Sequence, residues 1–317
     1  MGFKRQALSL VLLSLLTFSW AKKSPQEVTG GKIAIYWGQN KDEGTLTATC
    51  DTGNYDIVLL SFLNKFGCRR TPSGNFDCHC GNDWSTCEEL APEIKHCQEK
   101  GVKVFLSLGG PSGDYSLCSS SDAVVVANYL YGNFLSGESG PLGKVTLDGI
   151  DFDIQKGSNL YWDCLAKELQ SFKDQNQNFY LSAAPRCFIP DYHLNQAIKK
   201  GYFDYIFVKF YNSPSCQYTS GGITTFLLSS WNAWTSFVPS NSLVFLGLPA
   251  APAVAPLGGY VAPQVVTSDI LPYIMNSSNY GGIVIWDRSL DNQTQFTQKI
   301  KDQAKKMVVL PSGKAIY

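Results

Sequence analysis

Apolar residues recur along the chain as eight short runs: Lys32 to Gly38, Tyr55 to Leu63, Val102 to Gly110, Leu147 to Gln155, Phe179 to Pro185, Tyr205 to Asn212, Leu243 to Ala250 and Gly281 to Asp287. Each is rich in β-branched or aromatic residues and is separated from the next by a longer stretch, the pattern of parallel strands in βα units. Three intervening stretches carry helical spacing. Glu88 to Lys100 repeats Leu90, Ile94 and Cys97, with Gly101 behind it as a C-terminal stop; Asp122 to Leu135 repeats Ala123, Val126, Ala127, Leu130 and Phe134, with Asp122 as the expected N-cap; Trp162 to Phe172 repeats Leu165, Leu169 and Phe172. No internal repeat, low-complexity tract or linker divides the chain. Eight βα units in fewer than about 300 residues predict an α/β fold with a single (β/α)8 TIM barrel.

One run breaks the apolar pattern. Leu147-Asp-Gly-Ile-Asp-Phe-Asp-Ile-Gln155 sets three carboxylates among apolar neighbours, and acidic groups are seldom buried without partners. Period two places Asp151, Asp153 and Gln155 on one face and Phe152 and Ile154 on the other. Polar residues at the C-terminal ends of barrel strands belong to active sites. That rule selects Tyr36 and Gln39, Ser107 to Gly110, Asp153 and Gln155, Tyr211 and Asn212, and Trp286, all converging on one mouth.

Composition changes this picture in three places. Residues 1–21 open with Met-Gly-Phe-Lys-Arg, pass through an apolar core from Leu8 to Leu16 and end in Ser19-Trp20-Ala21; this reads as a secretory signal peptide, its apolar run too short for a membrane anchor. A short segment, 22–30, then leads into the barrel, 31–307, and a tail, 308–317. The predicted location is therefore extracellular, in the apoplast, or in a vacuole or seed protein body. Lys+Arg and Asp+Glu are both 26, a balance that points to neither nucleic acid nor a membrane surface as partner and suits uncharged sugar; a monomer is expected. Ten cysteines in a secreted chain argue for disulfides. Cys78-His79-Cys80 invites a metal reading, but three histidines and an oxidising compartment argue against it, so neither metal nor cofactor is expected. Asn276 and Asn292 head sequons for N-glycosylation.

The series Asp148, Asp151, Asp153, Gln155 resembles the Asp-x-x-Asp-x-Asp-x-Glu strand of glycoside hydrolase family 18, in particular the plant class III, hevamine-like chitinases. The resemblance runs over nearly the whole chain after the leader. It implies that Asp153 orients a substrate acetamido N–H, Tyr211 hydrogen-bonds the acetamido oxygen, Trp286 floors the site and Asp151 shares charge with Asp153. Tyr36, Gln39 and Asn75 match sugar-contacting positions, and Asp148 supports the strand. Six cysteines match the family's bridged positions, implying Cys50–Cys97, Cys80–Cys87 and Cys187–Cys216; Cys68, Cys78, Cys118 and Cys164 are left over.

The departures from the family fall at the chemistry. In family 18 the substrate's own N-acetyl oxygen attacks, and the protein supplies a proton to the leaving oxygen. Gln155 stands where the acid should be, and a primary amide donates no such proton at physiological pH. Pro111 replaces a glycine at the groove lip, and Lys209 replaces a glutamine, pointing towards Asp153. The expected function is a chitinase-like protein without hydrolase activity that binds chitin or N-acetylglucosamine oligosaccharides, in defence or seed storage. A weakly active endochitinase and an inhibitor of other glycoside hydrolases such as xylanases stand as alternatives.

Overall fold

The computed structural model describes residues 30–306 apart from 77–78, 81–83, 176–177 and 220. The expected leader, the C-terminal tail and Cys78 lie outside the described residues. All eight apolar runs form strands: β1 (Lys32–Trp37), β2 (Ile57–Phe66), β3 (Lys103–Gly110), β4 (Gly149–Ile154), β5 (Tyr180–Ala183), β6 (Tyr205–Lys209), β7 (Leu243–Pro249) and β8 (Tyr280–Trp286). Each pairs in parallel with its sequence neighbours, and β8 returns to pair with β1, closing the barrel.

Alternation along the strands divides the core into two shells. The barrel interior is filled by Tyr36, Phe62, Phe105, Tyr205, Phe207 and Phe245 with smaller partners. The opposite faces, including Ile150, Phe152 and Ile154, pack beneath the helices. Asp151 and Asp153 therefore point inward from a strand whose other face is anchored outward, as period two requires. Strand β6 is shorter than its apolar run, because Asn212 turns the chain at φ +53°, a left-handed conformation that Asn tolerates better than most residues. Tyr211 thus sits on the loop behind the strand.

The helices follow the predicted spacings with one correction. Trp84–Leu90 is a 3-10 segment that passes into an α-helix at Ala91–Glu99, where Pro92 occupies the first turn. Ser120–Leu130 is capped by Ser119, whose side chain accepts from the amide of Asp122, so Asp122 is not the N-cap. Its carboxylate instead accepts the amides of Cys68 (2.7 Å) and Cys118 (3.0 Å), tying the loop after β2 to the helix start. Trp162–Lys173 runs as the spacing predicts.

Four disulfides staple the loops: Cys50–Cys97, Cys68–Cys118, Cys80–Cys87 and Cys187–Cys216. Cys164 is a half-buried free thiol. Cys68, Cys118 and Asp122 lie close enough together to suggest a metal site, but the two sulfurs are bonded to each other and offer no thiolate. No described helix is long and apolar enough to cross a membrane.

Candidate active site

Strand register builds the site. Ser107 on β3, Asp151 on β4 and Ser182 on β5 are paired across the sheet, so their side chains share one interior layer. Asp151 is fully buried and accepts hydrogen bonds from Ser107 (2.6 Å), Ser182 (2.7 Å) and the Tyr36 hydroxyl (3.3 Å). Burial and the charge of neighbouring Asp153 nonetheless push its carboxyl up to about 6, against the pull of the serines and Lys209. Sequence reasoning missed Ser182, although it is the one aliphatic hydroxyl in an otherwise apolar and aromatic run and has inward parity.

One layer higher, Asp153 is 2% exposed and has both oxygens engaged. Oδ1 forms an ion pair with the ammonium of Lys209, and Oδ2 accepts from the side-chain amide of Gln155 at 2.9 Å. The Gln155 oxygen must then face away from Asp153, because the amide nitrogen is the only donor in that side chain. Lys209 is 8% exposed, and a buried ammonium with a carboxylate partner is costly to separate. The strand ends are knit by Tyr115, whose hydroxyl donates to the Gly110 carbonyl (2.6 Å) and accepts from the backbone N–H of Gln155 (3.0 Å). Gly109, at φ +100°, permits this approach; a Cβ there would stand 2.7 Å from the Asp153 carbonyl. Pro111 is exposed just beyond.

The other side of the mouth is differently built. Trp286, at the end of β8, lies against Tyr36 (ring centroids 5.3 Å) and stacks on Phe62 (5.8 Å), leaving the indole half-buried. Burial, then the charges of Asp153 and Asp287, hold the Tyr211 phenol protonated well beyond its usual range. Its hydroxyl makes no hydrogen bond among the described residues, so it remains a free donor. Gln39 spends its amide nitrogen on the carbonyls of Ser61 (2.7 Å) and Asn75 (3.0 Å), while the Asn75 backbone pairs with Phe62. Gln39 and Asn75 are thereby brought to one lip.

That lip rests on a buried clamp not foreseen from sequence. Glu43 Oε1 accepts from the amides of Gly38 (2.7 Å) and Asn40 (3.1 Å) and bonds His79 (2.9 Å). Burial alone would lower the His79 pKa, but the hydrogen bond and charge of Glu43 outweigh it and the net shift is upward. His79 therefore serves the loop after β1.

The remaining marked residues lie elsewhere. Asp148 sits at the opposite end of β4, where its carboxylate accepts from the Val104 amide and the Gln98 side chain, both at 2.9 Å. Asn276 and Asn292 are exposed on the helical shell. The mouth thus unites Tyr36, Gln39, Asn75, Asp151, Asp153, Gln155, Tyr211 and Trp286 with Lys209, and excludes Asp148.

Comparison with known proteins gives this geometry a lineage. A model of the glycosyl hydrolases family 18 matches residues 32–251. The chain is 48% identical over 299 residues to an acidic endochitinase of Vitis vinifera, covering 93% of this chain and 95% of that one. It is 46% identical over 307 residues to concanavalin B of Canavalia ensiformis, covering 95% and 94%. Among solved structures it matches the xylanase-A-amylase inhibitor protein XAIP-III with a TM-score of 0.80 at 44% identity, covering 86% of this chain and 98% of that one. On the matched family model, the extent of these likenesses and the closed barrel that carries its carboxylates on β4, the chain belongs to glycosyl hydrolases family 18.

Proposed function

We propose that this chitinase-like chain is a secreted protein that binds N-acetylglucosamine oligosaccharides at the barrel mouth and does not hydrolyse them. The observation that carries the reading is the state of Asp153, held on one oxygen by Lys209 and on the other by Gln155. Substrate-assisted cleavage needs an acid at the leaving oxygen and a carboxylate free to orient the acetamido group. Position 155 supplies no proton, and Asp153 is already neutralised. Binding draws on the other side: the free Tyr211 hydroxyl, the half-buried Trp286 indole and the lip of Gln39 and Asn75. The leader expected over residues 1–21 and the four disulfides support secretion.

Titration of the full chain with chitotetraose by calorimetry, with product analysis of the same samples, tests this reading. Saturable binding with no shortened sugar is expected. Cleavage by wild type that disappears in Asp153→Ala would instead establish a weak endochitinase. The 44% identity to a xylanase and α-amylase inhibitor favours a second reading: inhibition of a xylanase or amylase by a chain that ignores chitotetraose would replace sugar binding with protein binding.

A further inference from the structure

A cleft of about 220 Å³ adjoins the mouth at the ends of β4, β5 and β6 and shares Gln155 and Lys209 with it. Beyond those two, its walls include Arg186, Phe188, Asp191, Tyr192 and His193, which the chitinase reading does not use. Arg186, just beyond β5, pairs with Lys209 at the end of β6 in an isolated parallel bridge, so two cationic residues stand side by side. Only one of them is free. Lys209 is neutralised by Asp153, whereas the Arg186 guanidinium has no hydrogen bond or ion pair among the described residues.

The other titratable groups leave that charge uncancelled. Asp191, 6% exposed, spends its carboxylate on the backbone amides of Arg186 (3.0 Å), His193 (3.0 Å) and Leu194 (2.8 Å). Burial, aided by Lys209 and Arg186, lowers the His193 pKa and keeps the ring neutral. Phe188 is 38% exposed and Tyr192 65% exposed, so two aromatic rings flank the cleft and face solvent.

One free planar cation matches one planar monoanion, the bidentate pairing of guanidinium with carboxylate. A phosphate dianion would call for a second free cation, which Lys209 does not provide. Exposed aromatic faces in a concavity that shares Gln155 with the saccharide mouth suit pyranose rings better than an extended peptide. We propose that this cleft binds an acidic oligosaccharide, placing a hexuronate carboxylate on Arg186 and sugar faces on Phe188 and Tyr192.

The cleft shares Gln155 and Lys209 with the mouth but takes a charged sugar where the mouth takes a neutral one, and the test separates the two. The full chain is titrated by calorimetry with tri-galacturonate, with its methyl ester, which keeps the rings and loses the charge, and with hexaglutamate. The acid is expected to bind at least 10-fold more tightly than the ester, to weaken as salt rises, and to lose at least 10-fold in Arg186→Gln with partial recovery in Arg186→Lys. Because Arg186 is exposed, the variants should fold, and a thermal melt checks that they do. Equal binding of acid and ester, no effect of Arg186→Gln, no binding of the acid, or hexaglutamate binding as tightly as tri-galacturonate would each overturn the proposal.

Discussion

The two sides of the barrel mouth are built to different ends. On the side of β1, β2 and β8, aromatic rings and backbone carbonyls make a surface of neutral groups: Trp286 on Phe62 and Tyr36, and Gln39 bridging Ser61 and Asn75. On the side of β4 and β6, a carboxylate, an ammonium and an amide satisfy one another at Asp153, Lys209 and Gln155. The first side presents groups outward to a ligand, while the second has turned its groups inward. On the proposed reading, a barrel of this family keeps a recognition surface while the atoms that would do chemistry become part of the structure.

Making the second side resemble an enzyme's gives the largest expected effect. A Gln155→Glu, Lys209→Gln double variant restores an acid and frees Asp153. It should raise chitotetraose cleavage over wild type by about 10²- to 10⁴-fold, the usual worth of a general acid, read by chromatography of the products.

A smaller effect follows from Asp151, one layer below. Its carboxyl sits at about 6 in the fold against an ordinary 3.8, so the folded chain binds this proton more tightly than the unfolded one. A raised acid contributes stability at low pH that is lost as pH climbs from about 4 to 6. Asp151→Asn removes the titration, so the stability of wild type relative to this variant should fall by about 1 to 3 kcal/mol between pH 4 and pH 7. Urea unfolding across that range measures it; a constant difference would mean that Asp151 is ionised throughout.

The smallest effect on binding separates the mouth from the barrel floor. Asp148 pairs with Val104 and Gln98 far from the ligand surface. Asp148→Ala should cost about 1 to 3 kcal/mol by leaving a backbone amide without its acceptor. Chitotetraose affinity should stay unchanged, and a loss of affinity in a well-folded variant would place Asp148 in the site.

Legibility from sequence divides along the same line. All eight strands were readable, because burial on both faces imposes near-continuous apolar runs that loops lack. The inward placement of Asp151 and Asp153 followed from period two alone. Local capping was harder: Asp122 and Ser119 are both competent N-caps, and only the pull of the Cys68 and Cys118 amides on Asp122 decides between them. The Glu43–His79 clamp joins two loops 36 residues apart, and no spacing rule connects them. The direction of Lys209 towards Asp153 was legible from parity, but the simultaneous capture of the other oxygen by Gln155 required coordinates.

The most direct test of the central claim, that two residues and not one silence the mouth, is chitotetraose hydrolysis by the single variant Gln155→Glu beside the double variant. With Lys209 still holding Asp153, the single variant should remain near the wild-type background while the double variant cleaves. A single variant as fast as the double would show that Lys209 releases Asp153 to substrate freely, and that the missing acid alone accounts for the silence.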